Sequence, residues 1–363
     1  MYKGTGISKD QLSDDGEPCI LYGELYTKYK SETIREVISK TNINNTKLVR
    51  SKANDVIIPC SGETAEDIAT ARCVLNGNIL LGGDLNIIRL HGYDGAFMSY
   101  QLNGRRKYDI AKVAQGVSVV HLYGEHLKGV KTINPCLEEQ KKIAKLLSLL
   151  DERIATQNKI IEDLKILKSA IIEMEYSHMT KSISHIGDFI EQTSKRNKDS
   201  AIQNVLSVSN SQGFIQQSEQ FENRIVASDD TSNYKIVERN DFAFNPARIN
   251  VGSIARLITF ERGIVSPMYI CFRTKCNLFP EYLDYYFESK QFYTEIQKRL
   301  EGSVRQCLSF DGLCNIPLCV PSVEIQRQIG KRLSTLVQEI KLEIDFLELL
   351  QKQKKFLLYQ MFI

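Results

Sequence analysis

The feature that most constrains this chain is an internal repeat at an offset of 186 residues. When residues 135–175 are aligned with residues 321–361, twelve of the 41 positions are identical, whereas roughly two or three identities are expected from average composition. The same offset pairs, without gaps, Asn54-Asp55 with Asn240-Asp241, Ile68-Ala69 with Ile254-Ala255 and Gly116 with Gly302. Such a repeat indicates two copies of one structural module.

Each copy consists of a globular segment followed by a long helix. Short apolar runs, such as DVIIP (55–59) and VSVVHLY (117–123), alternate with glycine and asparagine clusters and predict strands and turns. The length of 363 residues suits two domains of common size. We divide the chain into a first domain at 1–134, a central long helix at 135–176, a second domain at 177–320 and a C-terminal long helix at 321–363.

The two long helices carry a coiled-coil pattern, because apolar residues recur at alternating steps of three and four. The predicted seam of the central helix is Ile143, Leu147, Leu150, Ile154, Ile161, Leu164 and Ile171. That of the C-terminal helix is Ile329, Leu333, Leu336, Ile340, Leu347, Leu350 and Leu357. The pattern predicts an α+β fold in which two globular, mixed α/β domains are each followed by a long helix. We expect the two helices to form an antiparallel coiled coil with pseudo-twofold symmetry.

Composition excludes several classes of protein. Lysine and arginine number 47 against 44 aspartate and glutamate, a net charge of +3 that neither demonstrates nor excludes a nucleic-acid partner. The nine cysteines include no CxxC pair and have no histidine at zinc-ligand spacing, so we expect no metal site. The sequence lacks an uncharged apolar run of roughly 18 residues and a signal-peptide core, and we therefore expect a soluble, cytoplasmic protein without membrane contact.

The motifs of the relevant enzymes are incomplete or missing. A DNA adenine methyltransferase needs polar acceptors and a stacking ring around a flipped base, and the nearest segment, FNPAR (244–248), lacks the second proline and the aromatic residue. The sequence contains no GxxxxGK[ST] loop for an ATP-driven motor. We therefore predict no catalytic residues and a protein that is not itself an enzyme.

The helical segments PCLEEQKKIAKLLSLLDERIATQNKIIEDLKILK (135–168) and PSVEIQRQIGKRLSTLVQEI (321–340) resemble the repeated helices of type I restriction-modification specificity subunits. The globular segments agree with this resemblance: PCSGETAEDIA (59–69) and QGVSVVHLYGEHLKGVKTINP (115–135) are similar to parts of a target-recognition domain of that family. EGSVRQCLSFDGLCNIPLCVPS (301–322) is similar to the corresponding part of a second such domain.

The resemblance implies a division of labour in a restriction system. Two target-recognition domains would each read one half of a split sequence in double-stranded DNA, and the helices would set the gap and dock two methyltransferase subunits. S-adenosylmethionine would bind to those methyltransferase partners, so that this chain holds no cofactor, and a separate motor-nuclease restriction subunit would cleave DNA. Residues 1–45 align poorly with 187–231, and we expect a first domain that is shortened at its N-terminus.

Two alternatives stay open at this point. The chain could be a coiled-coil assembly scaffold without sequence-specific DNA binding, or a stand-alone DNA-modifying enzyme. Salt-dependent binding to one preferred split sequence distinguishes specific recognition from a scaffold. Methyl transfer by the purified chain alone would identify the enzyme.

Candidate DNA-binding residues follow from side-chain chemistry, because the resemblance carries over no base-contact residue. Guanidinium and amide groups form paired hydrogen bonds with guanine and adenine edges, whereas lysines mostly neutralise phosphates. Each candidate has an alternative interpretation as an ordinary solvated surface residue. In the first domain the candidates are Lys28, Lys30, Ser61, Thr64, Arg105, Arg106 and Lys107. In the second domain they are Lys195, Arg196, Lys198, Asn245, Arg248, Asn250, Ser253, Arg305 and Gln306.

Overall fold

The computed structural model describes residues 1–44, 47–177, 184–210, 212–217, 230–302 and 306–362. The chain forms two compact units. Unit 1 contains Met1–Ile160 and Glu343–Ile363, and unit 2 contains Ile161–Leu342. Each unit therefore includes one globular domain together with a part of each long helix.

The domain of unit 1 is built on two sheets. Within the described residues its strands are β1 (Tyr2–Lys3), β2 (Glu17–Ile20), β3 (Thr33–Ile34), β4 (Ser39–Thr41), β5 (Val49–Arg50), β6 (Asp55–Pro59), β7 (Ser61–Gly62), β8 (Arg72–Val74), β9 (Leu80–Leu81), β10 (Leu85–Ile88) and β11 (Val120–His121). One sheet has the order β1-β10-β6-β8-β3, the other has the order β4-β2-β9-β5, and β11 pairs with β7. All five residues of β6 are buried, as expected for a central strand.

Short helices cover these sheets before the first long helix begins. They are α1 (Glu24–Thr27), α2 (Ala65–Ile68), α3 (Gly95–Asn103), α4 (Lys107–Lys112) and α5 (Gly124–Lys128), and the long helix is α6 (Leu137–Ser177). Asp94 caps the start of helix α3, where its side chain accepts a 2.8 Å hydrogen bond from the backbone N–H of Phe97. Such a cap satisfies an N–H that would otherwise lack a partner at the helix start.

The domain of unit 2 repeats this plan. Its described strands are β12 (Ile190–Thr193), β13 (Val205–Ser209), β14 (Gly213–Gln216), β15 (Lys235–Glu238), β16 (Phe242–Phe244), β17 (Ile254–Arg256), β18 (Arg262–Val265) and β19 (Ile270–Thr274). Its described helices are α7 (Ile186–Phe189), α8 (Pro280–Tyr286), α9 (Lys290–Gln297), α10 (Phe310–Cys314) and the long helix α11 (Val323–Gln360). The sheets have the orders β12-β19-β16-β17 and β14-β13-β18-β15.

The pairing of the strands shows that the two domains are copies of one topology. Strand β2 pairs antiparallel with β4 and parallel with β9, and β13 pairs antiparallel with β14 and parallel with β18. In the other sheet, β1-β10-β6 corresponds to β12-β19-β16. The internal repeat is therefore a repeat of structure as well as of sequence.

An aspartate–arginine pair occupies the same place in both domains. Asp55 binds Arg89 through two hydrogen bonds of 2.9 and 2.8 Å, and Asp241 binds Arg273 at 3.0 Å on the equivalent strands. The asparagine before each aspartate has a positive φ, 75° in the first domain and 72° in the second, a conformation that asparagine tolerates better than most residues. The bond to Asp55 raises the pKa of the Arg89 guanidinium. Burial raises the pKa of the Asp241 carboxyl, and Arg273 opposes that shift.

In unit 1, segments of α6 and α11 pack together against α3. Phe97 and Tyr100 of α3 form a buried cluster with Ala144, Leu147 and Phe362. Further along α6, Asp151 meets Lys354 at 2.5 Å, and Gln157 donates a 3.1 Å hydrogen bond to the carbonyl oxygen of Glu343. Residue numbers that increase along α6 are therefore paired with residue numbers that decrease along α11, so these two helix segments are antiparallel.

The same arrangement occurs in unit 2, where α8 replaces α3. Tyr176 of α6 donates a 2.6 Å hydrogen bond to the carbonyl oxygen of Tyr282. Ile172 and Tyr176 share a buried cluster with Ile329 and Leu333 of α11. Both helices thus contribute to the core beneath the second domain.

The predicted fold class is confirmed: two mixed α/β domains are each followed by a long helix, and the helix segments pair antiparallel within each unit. Every predicted seam residue is buried or half-buried, whereas the off-seam residues Leu146 and Leu149 are 50% and 48% exposed. The long helices span 137–177 and 323–360, where the sequence predicted 135–176 and 321–363. In the described parts of the chain, none of the helices has the length and apolar character needed to cross a bilayer.

Candidate nucleic-acid interface

In the second domain, two segments that are distant in sequence meet after the end of β16. The backbone N–H of Leu308 donates a 3.0 Å hydrogen bond to the carbonyl oxygen of Pro246. Gln306 lies two residues before Leu308, and Arg248 lies two residues after Pro246. We name residues 245–253, 301–302 and 306–308 the second corner. It brings together Asn245, Arg248, Asn250, Ser253 and Gln306, which were predicted as DNA-binding candidates from separate parts of the sequence.

Two of these candidates are buried and shape the turn of the second corner. Asn245 accepts a 3.1 Å hydrogen bond from the N–H of Ala247 through its side chain. The hydroxyl of Ser253 donates a 3.3 Å hydrogen bond to the carbonyl oxygen of Val208. With 7% and 4% exposure, the side chains of Asn245 and Ser253 would have to leave these bonds before either could contact a base.

Arg248 differs from its neighbours because its charged group is exposed and has no partner among the described residues. Within the described residues, its guanidinium makes no hydrogen bond or ion pair. Arg256, on the adjacent strand, instead binds Asp284 at 3.0 Å, and Arg239 forms a surface ion pair with Glu261. Arg248 is therefore free to form the paired hydrogen bonds by which arginine reads guanine. Asn250, in the 3-10 turn that follows, is half-buried.

The first domain has an equivalent first corner, which we define as residues 60–64 and 115–122. The N–H of Leu122 donates a 2.8 Å hydrogen bond to the carbonyl oxygen of Cys60, in the positions that correspond to Leu308 and Pro246. Ser61 is buried in the β7–β11 pair. The hydroxyl of Thr64 is engaged as the cap of α2, where it accepts a 3.1 Å hydrogen bond from the N–H of Asp67.

Each corner contains a loop that is closed by the same pair of backbone hydrogen bonds. In the first corner, Gln115 and His121 exchange bonds of 2.9 and 2.7 Å. In the second, Glu301 and Cys307 exchange bonds of 2.9 and 2.8 Å. A glycine with positive φ follows the first residue of each pair, at 126° in the first loop and 105° in the second. The backbone frame of the loop is thus repeated in the two domains.

A basic cleft lies beside the sheet of the second domain. It has a volume of about 710 Å³ and is lined by four cationic side chains, Lys195, Arg196, Lys198 and Arg262, together with Asp199 and Glu238. The side chain of Arg196 donates a 2.7 Å hydrogen bond to Asn233. The cleft suits a phosphate group, because cations predominate along its walls. Sequence analysis missed Arg262, because β15 connects it with the 195–198 turn: Glu238 of β15 pairs with Arg262, and Lys235 of the same strand forms a bridge with Arg196.

The remaining candidates of the first domain have varied surroundings. Lys28 is paired with Glu24 at 2.7 Å, and Lys30 is exposed. The guanidinium of Arg105 stacks 5.9 Å above the ring of Tyr359. Two more candidates lie nearby: Arg106, which is paired with Asp109 at 3.4 Å, and the half-buried Lys107 at the start of α4.

Arg305 lies outside the described residues, so the structure gives no position for it. Contact with DNA stays a prediction for all the candidate residues. In the part of the chain that the structure describes, no group of three or more His, Cys, Asp or Glu side chains is placed to hold a metal ion.

Comparisons with known proteins give a consistent result for both halves of the chain. The family model described as "Type I restriction modification DNA specificity domain" matches residues 3–165 and again residues 182–352. A relative from Methanocaldococcus jannaschii, the type I restriction enzyme MjaVIII specificity subunit, is 23% identical over 368 residues, covering 92% of this chain and 83% of that protein. The two matched ranges correspond to the two copies of the internal repeat.

Two solved structures have the same fold. The S subunit of a type I restriction-modification system from M. genitalium superposes with a TM-score of 0.60 at 17% identity, covering 100% of this chain and 93% of that one. A chain from a structure on complex assembly and conformational transition of the type I R-M system has a TM-score of 0.54 at 15% identity, covering 90% and 86%. From the matched family model and the duplicated fold, we conclude that this chain belongs to the type I restriction-modification DNA specificity family and is a specificity subunit.

Proposed function

We propose that each domain reads one half of a bipartite target in double-stranded DNA through its corner. The observation that carries this proposal is that the two corners share one backbone frame but present different side chains. Both loops are closed by the same exchange of backbone hydrogen bonds. Loops on a rigid scaffold are the usual carriers of binding specificity, so two copies with different side chains suit two different half-sites.

The second corner has the chemistry for direct base recognition. Arg248 presents an exposed guanidinium that is unpaired within the described part of the chain, and Gln306 presents an exposed amide on the adjoining segment. Arginine pairs with guanine and glutamine with adenine in the major groove. The basic cleft with Arg262 would hold the phosphate backbone and fix the orientation of the domain without contributing sequence information.

We further propose that the long helices determine the gap between the half-sites. Helix α6 is continuous over 41 residues from Leu137 to Ser177, and it connects the two domains along the chain. Helix length rises by about 1.5 Å per residue. A change in the number of helical residues should therefore change the preferred gap.

The partners in this proposal are two methyltransferase subunits and a motor-nuclease restriction subunit. S-adenosylmethionine would bind to the methyltransferase partners, so that this cytoplasmic chain is non-catalytic and holds no cofactor. Support for protein partners comes from large apolar side chains that are exposed on the long helices outside the seam. Their exposures are 50% for Leu146, 48% for Leu149, 39% for Ile160 and 49% for Leu167.

A selection experiment tests the proposed function. The full chain, assembled with methyltransferase subunits, is incubated with a library of random duplexes, and bound DNA is sequenced after washes at increasing salt. We expect one enriched motif with two defined halves and a fixed undefined gap. Binding that depends on salt but enriches no motif would contradict the proposal and favour an assembly scaffold. Transfer of labelled methyl groups to DNA by this chain alone would contradict its non-catalytic role.

A further inference from the structure

The loop of the first corner carries an unusually exposed apolar tip. Val117 is 98% exposed and Val119 is 52% exposed. With 98% of its surface exposed, the side chain of Val117 has almost no packing role in its own domain. The loop therefore presents a small, branched apolar group to whatever binds there.

The frame beneath this tip is well defined. Gln115 and His121 close the loop with two backbone hydrogen bonds, and β11 pairs with β7 through Val120 and His121. Gly116 has a φ of 126°, and a Cβ at this position would lie 2.1 Å from the carbonyl oxygen of Val119. Only glycine fits there without moving the loop. A preorganised loop loses little conformational freedom when it binds.

The side chains that follow the loop suit a nucleic-acid partner. The rings of His121 and Tyr123 stack with centroids 6.2 Å apart, and the ammonium of Lys3 lies 6.0 Å from the Tyr123 centroid. Both aromatic residues are exposed. A cation beside an exposed aromatic pair provides positive charge for phosphate and flat surfaces for sugar or base.

The repeat supplies a second argument. The backbone hydrogen bonds that close the loop are the same in both domains, but the sequence between them differs: residues 117–119 are Val-Ser-Val, whereas residues 303–305, which lie outside the described residues, are Ser-Val-Arg. A constant frame with a variable tip is the pattern expected of a loop that selects which base is read. The side chains of Val117 and Val119 can make only apolar contacts with a base, whereas the hydroxyl of Ser118 between them can form hydrogen bonds.

We propose that Val117, supported by Val119, reads the 5-methyl group of a thymine in the major groove of the first half-site. This inference rests on the proposed function, because it requires the first corner to face DNA. Thymine is the base that offers an apolar group in the major groove, and small apolar side chains recognise that methyl group. Val117 would then be a specificity-determining residue of the first domain.

A double-mutant cycle between protein and DNA tests the inference. The full chain with its methyltransferase subunits is titrated with the bipartite duplex, in which each thymine in turn is replaced by 2′-deoxyuridine, which lacks only the methyl group. We expect about a fourfold loss of affinity at one thymine of one half-site, equivalent to one buried methyl-sized group. In the Val117→Ser variant this duplex and the thymine duplex should bind equally. The matched control is Ile38→Ser, since Ile38 is also an exposed aliphatic residue of the first domain, at 55%.

The outcomes separate the inference from the proposed function. Split-site binding with no coupling between Val117 and any thymine methyl would overturn the inference and leave the bipartite reading intact. A Val117→Ser variant that loses methyltransferase binding while it keeps the thymine preference would also overturn it, in favour of a protein contact. Failure of the wild-type assembly to prefer any split sequence would overturn both. Because Val117 is solvent-exposed, its substitution should not prevent folding.

Discussion

The backbone N–H of Leu308 donates a 3.0 Å hydrogen bond to the carbonyl oxygen of Pro246. Its counterpart in the first domain is the 2.8 Å bond from Leu122 to Cys60. Each bond connects the segment before the following long helix to the turn after a central strand. The two bonds therefore form the same corner in both domains, and the bond in the second corner brings the region of Arg248 close to that of Gln306.

Arg248 should be a base-reading residue. We predict that Arg248→Ala weakens binding by about 1–3 kcal/mol for the correct half-site and relaxes discrimination at one position within it, because a paired hydrogen bond to one base is lost. The measurement is the dissociation constant for the target and for duplexes that carry single base-pair changes. Arg239→Ala is the control, since Arg239 is also an exposed arginine of this domain but is paired with Glu261. An equal loss on every duplex would show that Arg248 contacts only phosphate.

Arg262 should act on the backbone of DNA. We expect Arg262→Ala to weaken binding to specific and to random duplexes by the same factor. The slope of log affinity against log salt concentration should fall in magnitude by about 0.9, the value for one neutralised phosphate. Titrations at several salt concentrations measure that slope. Lys298→Ala is the control, because Lys298 is 61% exposed in its side chain and paired with Glu295. An unchanged salt slope for Arg262→Ala would exclude a phosphate contact in the basic cleft.

Lys354 should be important for the stability of unit 1. Its ammonium lies 2.5 Å from Glu32 and 2.5 Å from Asp151, and its side chain is 14% exposed. We predict that Lys354→Met lowers the apparent free energy of unfolding by about 3–5 kcal/mol, because two buried carboxylates lose their cation. Urea denaturation measures the change. Lys352→Met, at a side chain that is 74% exposed, should cost no more than about 0.5 kcal/mol. Equal losses of unfolding free energy in the Lys354→Met and Lys352→Met variants would contradict this stabilising role of Lys354.

The loss in Lys354→Met should depend on pH. Burial raises the pKa of the Glu32 carboxyl, and Lys354 opposes that shift. Without Lys354 the folded-state pKa rises further, so the folded state binds more protons than the unfolded state and becomes more stable as pH falls. We therefore expect the deficit to shrink from pH 7 toward pH 5 in denaturation curves. A deficit that grows on acidification would contradict the predicted direction.

The gap between half-sites should follow helix length. Deleting one heptad from each helix, residues 154–160 and 340–346, keeps the seam in register and removes Gln157 together with its partner Glu343. We predict a gap shorter by about three base pairs, because seven residues span about 10 Å and one base pair about 3.4 Å. The gap is measured in the DNA motif that the deletion variant enriches from a library of random duplexes. Thr156→Ala, which leaves helix length unchanged, should leave the gap unchanged, and an unchanged gap in the deletion variant would exclude the helices as its determinant.

Much of the fold could be predicted from the sequence because local patterns determine it. The heptad spacing predicted both long helices, and the apolar run 55–59 coincides with β6. The run 117–123 was interpreted as a strand, but the structure contains only Val120–His121 as strand, preceded by an exposed loop. The conformation of this region depends on the positive φ of Gly116 and on the pairing of β11 with β7, which lies almost 60 residues earlier in the chain. Apolar alternation alone does not reveal either.

The candidate interface could be predicted only in part, because burial depends on tertiary contacts. The side-chain types of Asn245 and Ser253 favour base contact, yet both are buried and bonded within the turn. Arg262 was missed because its proximity to Lys195 arises from the pairing of β18 with β15, whose Ile236 N–H donates a hydrogen bond to the carbonyl oxygen of Lys195. Lys354, on the C-terminal long helix, binds Glu32 of the first domain, a contact that the helical periodicity does not predict. Such contacts require the folded structure.

The two domains of this chain are proposed to recognise two different half-sites. This proposal is tested most directly by sequencing DNA methylation in cells with and without this gene. We predict that the gene adds one methylated motif of two defined halves with a constant gap, and that Arg248→Ala relaxes one half only. A single uninterrupted motif, or a methylation pattern that does not change when the gene is removed, would contradict the account.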